Sequence, residues 1–228
     1  IVFTEYVKRE LAEWLGDDKN IYVIPHGVDD IFFHEDPTAK LESRDRWSIP
    51  HDAFVVLHVG SGIERKNLPT VFATVRGLRR DGLDAWLLQA GATLTKDQIK
   101  TANSLGLDEH SVFLGQVEEK VLRSAYKASD VFCFPSQYEG FGLPVLEAMA
   151  SGLPVVSSGA GGLSEVQGDA GVIVRSNDSE PYRAELHRIA SDSAHRTQKA
   201  RQGVERAHQF TWSRAARSTA DVYRKMLA

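Results

Sequence analysis

Short apolar runs alternate with helical patterns along most of this chain, and this alternation limits the possible folds more than any other feature. Runs rich in β-branched and aromatic residues occur at residues 53–59, 85–88, 112–114, 131–134, 154–157 and 172–174. The segments between them carry apolar residues at the spacing of one buried helix face, as in residues 68–78. Continuous apolar strands separated by helices are typical of parallel sheets covered on both faces. We therefore expect an α/β fold built on a doubly wound parallel sheet of about six strands.

The loops that follow four of these runs are rich in glycine, serine or charge. They cover residues 60–66 (GSGIERK), 115–117 (GQV), 136–142 (SQYEGFG) and 157–162 (SSGAGG). In doubly wound sheets, ligands bind beyond the carboxyl ends of the strands. Because these loops would meet along one edge, they predict the position of a binding site.

The most specific segment covers residues 139–147, with the sequence EGFGLPVLE. It places Glu139 in a loop after a buried strand and Glu147 about one turn inside the helix that follows. The glycines allow a ligand to approach the backbone closely. The helix begins near Gly142, where free N–H groups can receive an anion. Carboxylates on both sides of an anion site suit a ligand with hydroxyls flanking a phosphate, which is the layout of a nucleotide-sugar.

The loop at residues 60–65, GSGIER, nearly matches the dinucleotide pattern GxGxxG. Arg65 stands where that pattern needs its third glycine, and Gln89 and Ala90 stand where an acid would be expected. Both differences argue against a nicotinamide or flavin site. Arg65 and Lys66 instead suit a diphosphate, because charged hydrogen bonds contribute about 1.5–3 kcal/mol each. A solvated pair of cations at a helix start is the alternative.

Composition excludes several other kinds of site. The net charge of −4 gives no indication of nucleic-acid binding. The single cysteine, Cys133, lies between two phenylalanines in an apolar run and is expected to pack in the core. The eight histidines have no metal-ligand spacing, and no Asp-x-Asp pair follows a strand. We therefore expect a metal-independent site without a cofactor.

The chain is also expected to be cytoplasmic. No apolar run approaches the roughly 18–20 residues that span a bilayer. Residues 183–217 are locally basic, with eight Arg or Lys against three acids. This excess fits solvated helix faces, or peripheral contact with an anionic membrane surface.

Residues 139–156, EGFGLPVLEAMASGLPVV, closely resemble the E-x7-E signature of retaining glycosyltransferases of family 4, which have the GT-B fold. Shorter segments resemble other parts of that family. Residues 25–29 (PHGVD) resemble its P-N-G-V-D turn, with His26 in place of the usual Asn. Residues 65–67 resemble the family's basic loop, and residues 113–117 resemble its base-binding loop. Residues 210–213 resemble the start of its final helix.

The resemblance implies a role for each matched position. Glu139 would contact hydroxyls of the donor sugar, and Glu147 would accept hydrogen bonds from the ribose. Arg65 and Lys66 would neutralise the diphosphate leaving group, so that these two residues and Glu139 are the expected catalytic set. The other donor-binding positions would be Gly62, Gly115, Val117, Gly140, Phe141, Gly142 and Leu143. Transfer would retain the anomeric configuration, by front-face attack in which the donor phosphate helps to take the acceptor proton.

Family members have two Rossmann-like domains, and this chain resembles only the C-terminal, donor-binding half. We expect residues 1–30 to be the interdomain segment, with a helix at 2–15 and a short strand at 21–24. Residues 31–208 would bind the nucleotide-sugar. Residues 209–228 would form a terminal helix that packs on a missing N-terminal domain, which leaves its apolar stripe partly uncovered.

The resemblance favours GDP-mannose as donor, with a UDP-sugar next, because RKNL loops resemble mannosyltransferase-like members. The acceptor would be a glycan, a lipid-linked or another hydroxyl group. Two alternatives stay open. The chain could be a nucleotide-sugar-binding module without transfer activity of its own, or the enzyme could be an epimerase or hydrolase with the same fold.

Overall fold

A six-stranded parallel sheet forms the centre of the computed structural model, which describes residues 1–34, 36 and 38–227. Its strands are β1 (Phe54–Gly60), β2 (Ala85–Gly91), β3 (Ser111–Gly115), β4 (Val131–Phe134), β5 (Val155–Ser157) and β6 (Val172–Ile173). They lie in the order β3-β2-β1-β4-β5-β6, and each neighbouring pair is parallel. The predicted doubly wound α/β fold is therefore confirmed.

Helices cover both faces of the sheet. They are α1 (Glu5–Leu15), α2 (Ala39–Arg46), α3 (Leu68–Arg80), α4 (Lys96–Ser104), α5 (Glu119–Ala128), α6 (Leu143–Ala150), α7 (Leu163–Gln167), α8 (Ser179–Ser191), α9 (Ser193–Ala207) and α10 (Trp212–Leu227). Helices α3, α4 and α8 contribute to one apolar core and α5, α6, α7 and α9 to the other. Along β1, Val56 belongs to the first core and Leu57 to the second, as the alternation of side chains in a strand requires.

The strand order reverses direction beside β1, which pairs with β2 on one side and with β4 on the other. This is the switch point at which doubly wound sheets form a ligand crevice. The loops that leave β1 and β4 are therefore neighbours. One carries Arg65 and Lys66, and the other carries Glu139.

A buried arginine joins the elements at the opposite edge of the sheet, where β1 and β4 begin. Arg44 of α2 is 1% exposed and donates to the carbonyl oxygens of Ala128 (2.9 Å), His51 (2.6 Å) and Ala53 (3.0 Å). It also donates to Oδ2 of Asp130 at 2.8 Å. Because these bonds satisfy most of the guanidinium, α2 is held firmly against the sheet.

The first 30 residues differ from expectation in two ways. Helix α1 begins at Glu5 rather than residue 2, because Thr4 caps it and its Oγ1 accepts a hydrogen bond from the Val7 N–H. The predicted strand at 21–24 is wrong. Within the described residues, this segment forms only an isolated bridge between Val2 and Val23, since no further pairing extends it.

The stripe of the last helix is partly uncovered, as expected. Val222 is buried, whereas Trp212, Tyr223 and Met226 are 48%, 60% and 73% exposed. Glu35, Pro37 and Ala228, which belong to the predicted segments 31–208 and 209–228, lie outside the described residues. Across the described residues, no helix combines the length and apolar character needed to traverse a bilayer.

Candidate functional site

Arg65, Lys66 and Glu139 meet at the switch point of the sheet. Lys66 Nζ lies 2.6 Å from Glu139 Oε1, and Arg65 Nη1 lies 3.0 Å from the same oxygen. The Ser136 hydroxyl donates to this oxygen as well, at 2.6 Å. Glu139 is only 7% exposed, so its charge is balanced by partners rather than by bulk water. The loops after β1 and β4 thus share one charged cluster.

The two carboxylate oxygens of Glu139 differ in the hydrogen bonds that they accept. All three donors reach Oε1, whereas Oε2 accepts no hydrogen bond from the described residues and is not fully buried. One oxygen is therefore fixed in place and the other is available to a ligand hydroxyl.

Local backbone geometry turns Lys66 inward. Residues Glu64–Lys66 form one 3-10 turn, and Asn67 follows in the left-handed region with φ of 54°. The Lys66 ammonium lies 4.8 Å from the centroid of the Phe134 ring, a cation–π contact. The carbonyl oxygen of Arg65 accepts from the Gln137 N–H at 2.7 Å, which ties this turn to the loop after β4.

The start of α6 presents unpaired backbone donors. In the described part of the chain, the N–H groups of Phe141, Gly142 and Leu143 donate to no acceptor. Gly142 has φ of 97°, and a Cβ atom there would lie 2.2 Å from Leu163 Cδ2. The position therefore favours glycine, chiefly for its backbone conformation, and any larger residue would also displace the Leu163 side chain. Such donors at a helix N-terminus suit an anion.

The loop after β5 packs against the backbone of Glu139 and Gly140. A Cβ atom at Gly161 would lie 2.2 Å from the Glu139 carbonyl oxygen, and one at Gly162 would lie 2.4 Å from that of Gly140. The Gly162 N–H donates to the Glu139 carbonyl oxygen at 2.7 Å. The sequence placed this glycine-rich loop at the correct edge, but its role is to pack against the E-x7-E segment.

Glu147 faces helix α5 rather than the charged cluster. The Tyr126 hydroxyl lies 2.8 Å from Glu147 Oε2 and 3.2 Å from the Pro144 carbonyl oxygen. Burial raises the pKa of Glu147, while the hydrogen bond from Tyr126 lowers it and the charge of Glu119 raises it. Burial, and then the charge of Glu147, raise the pKa of Tyr126 well above its ordinary value.

The remaining predicted positions lie along the same edge without touching the charged cluster. The Gly62 carbonyl oxygen accepts from Gln98 Nε2 of α4, which ties the loop after β1 to that helix. Gly115 ends β3 with φ of 65°, and Val117 packs against the apolar core. Of the expected site, the structure joins Arg65, Lys66 and Glu139 directly.

Sequence reasoning did not assign a site role to His58, which is fully buried beneath the cluster. Its Nδ1 lies 3.1 Å from the Cys133 carbonyl oxygen, so this nitrogen carries the proton, and its ring stacks on Phe134. The pKa of His58 is lowered to about 4, mainly by burial and also by the charge of Lys66, while the Cys133 hydrogen bond and the charge of Glu139 act in the opposite direction. His58 is therefore neutral at physiological pH. Burial also raises the pKa of the Cys133 thiol to about 12, which fits the predicted inert core position.

Helix α1 is attached to the site loops by side-chain hydrogen bonds that the sequence pattern did not indicate. The Thr4 hydroxyl donates to the Gly140 carbonyl oxygen at 2.9 Å. The Glu165 carboxylate of α7 accepts from the first two N–H groups of α1, at 2.7 and 2.6 Å. The Tyr138 hydroxyl donates to Glu10 Oε2 at 2.6 Å. The first turn of α1 thus rests on the loops after β4 and β5.

A cavity of about 450 Å³ lies next to Phe141, between the first segment of the chain and the start of α10. His26, Arg206 and Arg214 contribute to its lining, whereas the charged cluster does not. Among the described residues, no group of three or more His, Cys, Asp or Glu side chains is arranged to hold a metal ion.

This architecture is the Rossmann-like domain of GT-B glycosyltransferases. It superposes on the crystal structure of Anabaena HepE in complex with UDP and glucose with a TM-score of 0.87 and 19% identity, covering 100% of this chain and 62% of that one. The chain belongs to the glycosyl transferases group 1, whose family model matches residues 39–207.

Two curated relatives are similar over nearly the full chain. The D-inositol 3-phosphate glycosyltransferase of Nocardiopsis dassonvillei is 33% identical, covering 100% of this chain and 56% of that protein. The phosphatidyl-myo-inositol mannosyltransferase of Mycolicibacterium smegmatis is 30% identical, covering 98% and 56%. The chain therefore spans about half the length of the curated relatives it matches.

Proposed function

We propose that this chain is the donor-binding part of a retaining glycosyltransferase. The enzyme moves a sugar from a nucleoside-diphosphate sugar to a hydroxyl group of a glycan, a lipid-linked or another acceptor. The single observation that carries this proposal is the meeting of Arg65, Lys66 and Glu139 at the switch point, beside the unpaired N–H groups that start α6. Membership of the glycosyl transferases group 1 supports the reaction class.

The charges of the cluster suit a diphosphate. Two cations face one carboxylate, which leaves one positive charge in excess. Arg65 Nε and Nη2 have no partner within the described residues, and Lys66 Nζ donates to a single acceptor there. As the bond between the sugar and the phosphate breaks, negative charge grows on the leaving group. Donors already held in place stabilise that charge without reorganising, which is a large term in catalysis.

Each glutamate has one oxygen held by the protein and one available. In this proposal, Glu139 Oε2 accepts from a donor-sugar hydroxyl, and Glu147 Oε1 accepts from the ribose. Gly115 and Val117 line the base pocket, and Gly62 borders the donor. The bond from the anomeric carbon to the donor phosphate breaks while the bond to the acceptor oxygen forms on the same face. The acceptor proton passes to a phosphate oxygen, with no metal required.

The proposed donor is GDP-mannose, with a UDP-sugar next. The RKNL loop and the Mycolicibacterium smegmatis relative, which is named a mannosyltransferase, support mannose. The Anabaena structure with UDP and glucose supports the second choice. Calorimetry with GDP, UDP, ADP and their sugars decides between them. Tightest binding of GDP-mannose is expected, and absence of binding by every nucleotide would contradict the proposal.

The chain on its own is proposed to bind a donor and to transfer little. The supporting observation is its length, because the relatives contain a further part outside the matched region. The exposed face of α10 is proposed to pack against that part. A labelled donor tests this: robust glycosyl transfer by the purified chain would show that it is sufficient. An isomerised or merely hydrolysed product would favour an epimerase or a hydrolase.

A further inference from the structure

Tyr126 holds Glu147 from outside the site loops. It lies on α5 and is fully buried, with Phe32 packed edge-on at 5.7 Å and Phe132 tilted at 6.0 Å between ring centroids. Contact with these two rings restricts the Tyr126 ring, and with it the position of the phenol oxygen. That oxygen lies within hydrogen-bond distance of both Glu147 Oε2 and the Pro144 carbonyl oxygen. Only the hydroxyl hydrogen can rotate, so that it points at one acceptor or at the other.

A phenol has one proton, and here it has two acceptors. While Glu147 is ionised, the proton points at Oε2, since this acceptor is charged and lies closer, at 2.8 Å against 3.2 Å. Oε1 then has no donor among the described residues. When Glu147 is protonated, the carboxyl can donate to the phenol oxygen while the phenol donates to Pro144. Only the first arrangement presents a charged acceptor to a ligand.

We propose that Tyr126 is a positioning residue for the ribose site: by fixing Oε2 of Glu147, it presents Oε1 as the acceptor for the ribose hydroxyls. This inference rests on the function proposed above and adds a residue that lies outside the E-x7-E segment. It assigns the ribose contact to one oxygen of one carboxylate.

The pH dependence follows from the groups around Glu147. Burial and Glu119 raise its pKa, and the hydrogen bond from Tyr126 lowers it. Glu119 and Tyr126 both belong to α5. The other elements that pack against α6 carry charged side chains, such as Glu165 of α7, Arg206 of α9 and Asp30 of the 3-10 turn Asp30–Phe33, but none of these shifts the pKa of Glu147. Ribose binding needs the ionised form, so it is present above the pKa of Glu147 and is lost as the pH falls through it. Without the Tyr126 hydroxyl, this pKa rises and the loss begins at a higher pH.

The test compares Tyr126→Phe with wild type by calorimetry, using GDP, UDP and their 2′,3′-dideoxy counterparts across about pH 4 to 8. We expect the variant to bind the ribonucleotides about three- to tenfold more weakly, in line with one lost hydrogen bond, and the dideoxy ligands equally well. The fall in ribonucleotide affinity at low pH, which is the acid limb of the binding profile, should begin at a higher pH in the variant. Equal losses for both kinds of ligand, or an unmoved acid limb, would overturn the proposal.

Tyr182→Phe is the matched control. Tyr182 is also fully buried, and its hydroxyl donates to the Val174 carbonyl oxygen at 3.1 Å in the other core. It should leave nucleotide binding and its pH profile unchanged. A shift as large as that of Tyr126→Phe would show a merely structural effect.

Glu147→Gln keeps the test decisive if Tyr126→Phe folds poorly. This variant should lose the preference for ribonucleotides together with the acid limb, and adding Tyr126→Phe should cause no further ribose-specific loss. Additive losses would overturn the positioning role. If wild type binds ribo- and dideoxynucleotides equally, the ribose role fails while nucleotide binding stands. If it binds neither, the proposed function fails as well.

Discussion

Gly161 lies so close to the backbone of Glu139 that a Cβ atom at this glycine would be 2.2 Å from the Glu139 carbonyl oxygen. The same oxygen accepts the Gly162 N–H at 2.7 Å. The position of the buried carboxylate therefore depends on a neighbouring loop that carries no side chain at this point. Glu139 is held from two sides, by its charged partners and by this backbone contact.

Gly161→Ala should destabilise the fold by about 1–3 kcal/mol, because Gly161 has φ of +62° and the new Cβ clashes with backbone. Nucleotide affinity should fall too, since the loop carrying Glu139 must move. Gly152→Ala is the control, because Gly152 has φ of +76° and nothing lies within 4 Å of its Cβ position. Urea unfolding measures the stability of both variants, and calorimetry measures their nucleotide affinity. Because both glycines have positive φ, the difference between the variants is the effect of the clash. Equal effects would show that the contact is unimportant.

Ser136→Ala should cost about 1.5–3 kcal/mol of folding free energy, because it removes a buried hydrogen bond to the charged Glu139 oxygen. Donor affinity should fall with it, as Oε1 loses one of its three donors. Ser129→Ala removes a buried hydroxyl that donates to a neutral acceptor, the Ala125 carbonyl oxygen at 2.7 Å. This control should cost only about 0.5–1.5 kcal/mol and leave affinity unchanged. A Ser136 effect no larger than the control would contradict the assigned role.

Stability should depend on pH through His58. Its pKa is about 4 in the fold, against the ordinary value of 6.5. Between these values the unfolded chain binds the extra proton, so the free energy of unfolding falls as the pH drops from about 6.5 towards 4, by roughly 3 kcal/mol in total. His58→Phe removes this contribution, and its stability should decline less over the same interval. Parallel stability curves for the two proteins would contradict the burial argument.

Arg44→Met should destabilise the protein by about 1–3 kcal/mol, since it leaves buried carbonyl oxygens such as those of Ala128 and Ala53 without their donor, whereas Asp130 keeps its bonds from Lys40 and the Val55 N–H. Nucleotide affinity of the folded fraction should not change, because this network lies at the edge of the sheet where β1 and β4 begin. Arg201→Met, at an exposed residue 3.7 Å from Glu205, should cost less than about 1 kcal/mol. Reduced affinity in Arg44→Met would reveal coupling across the sheet.

The strands were predictable because each is apolar on both faces, and the exceptions have physical causes. The run at 85–88 continues to Gly91 because buried Gln89 donates to the carbonyl oxygens of Gly60 and Ala90, which makes a polar residue acceptable in the sheet. Helix α2 has no apolar stripe to reveal it, since its buried residues are Ser43 and Arg44. The position of α2 depends instead on the hydrogen bonds that Arg44 makes with distant residues such as Ala128 and Asp130.

The sequence identified residues that the structure brings together, Arg65, Lys66 and Glu139, but it did not indicate how they are oriented. Short motifs identified Arg65, Lys66, Glu139 and Glu147 as candidates. Nothing in their spacing shows that three donors share one oxygen of Glu139, or that Tyr126 occupies one oxygen of Glu147. Apart from the local bond between Ser136 and Glu139, these contacts join residues 21 to 74 positions apart, and they arise only when the strands are ordered.

The hydrogen bonds of α1 also define where this part of the enzyme can be exchanged between relatives. The family match begins at residue 39, whereas contacts with the loop after β4 begin at Thr4, which bonds to Gly140. A chimaera joined at residue 38 would replace Thr4 and Glu10, whose side chains bond to the Gly140 carbonyl oxygen and to the Tyr138 hydroxyl. The smallest unit that can be transplanted with these bonds intact therefore starts ahead of Thr4, and a chimaera that lacks them should hold the loop after β4 less firmly.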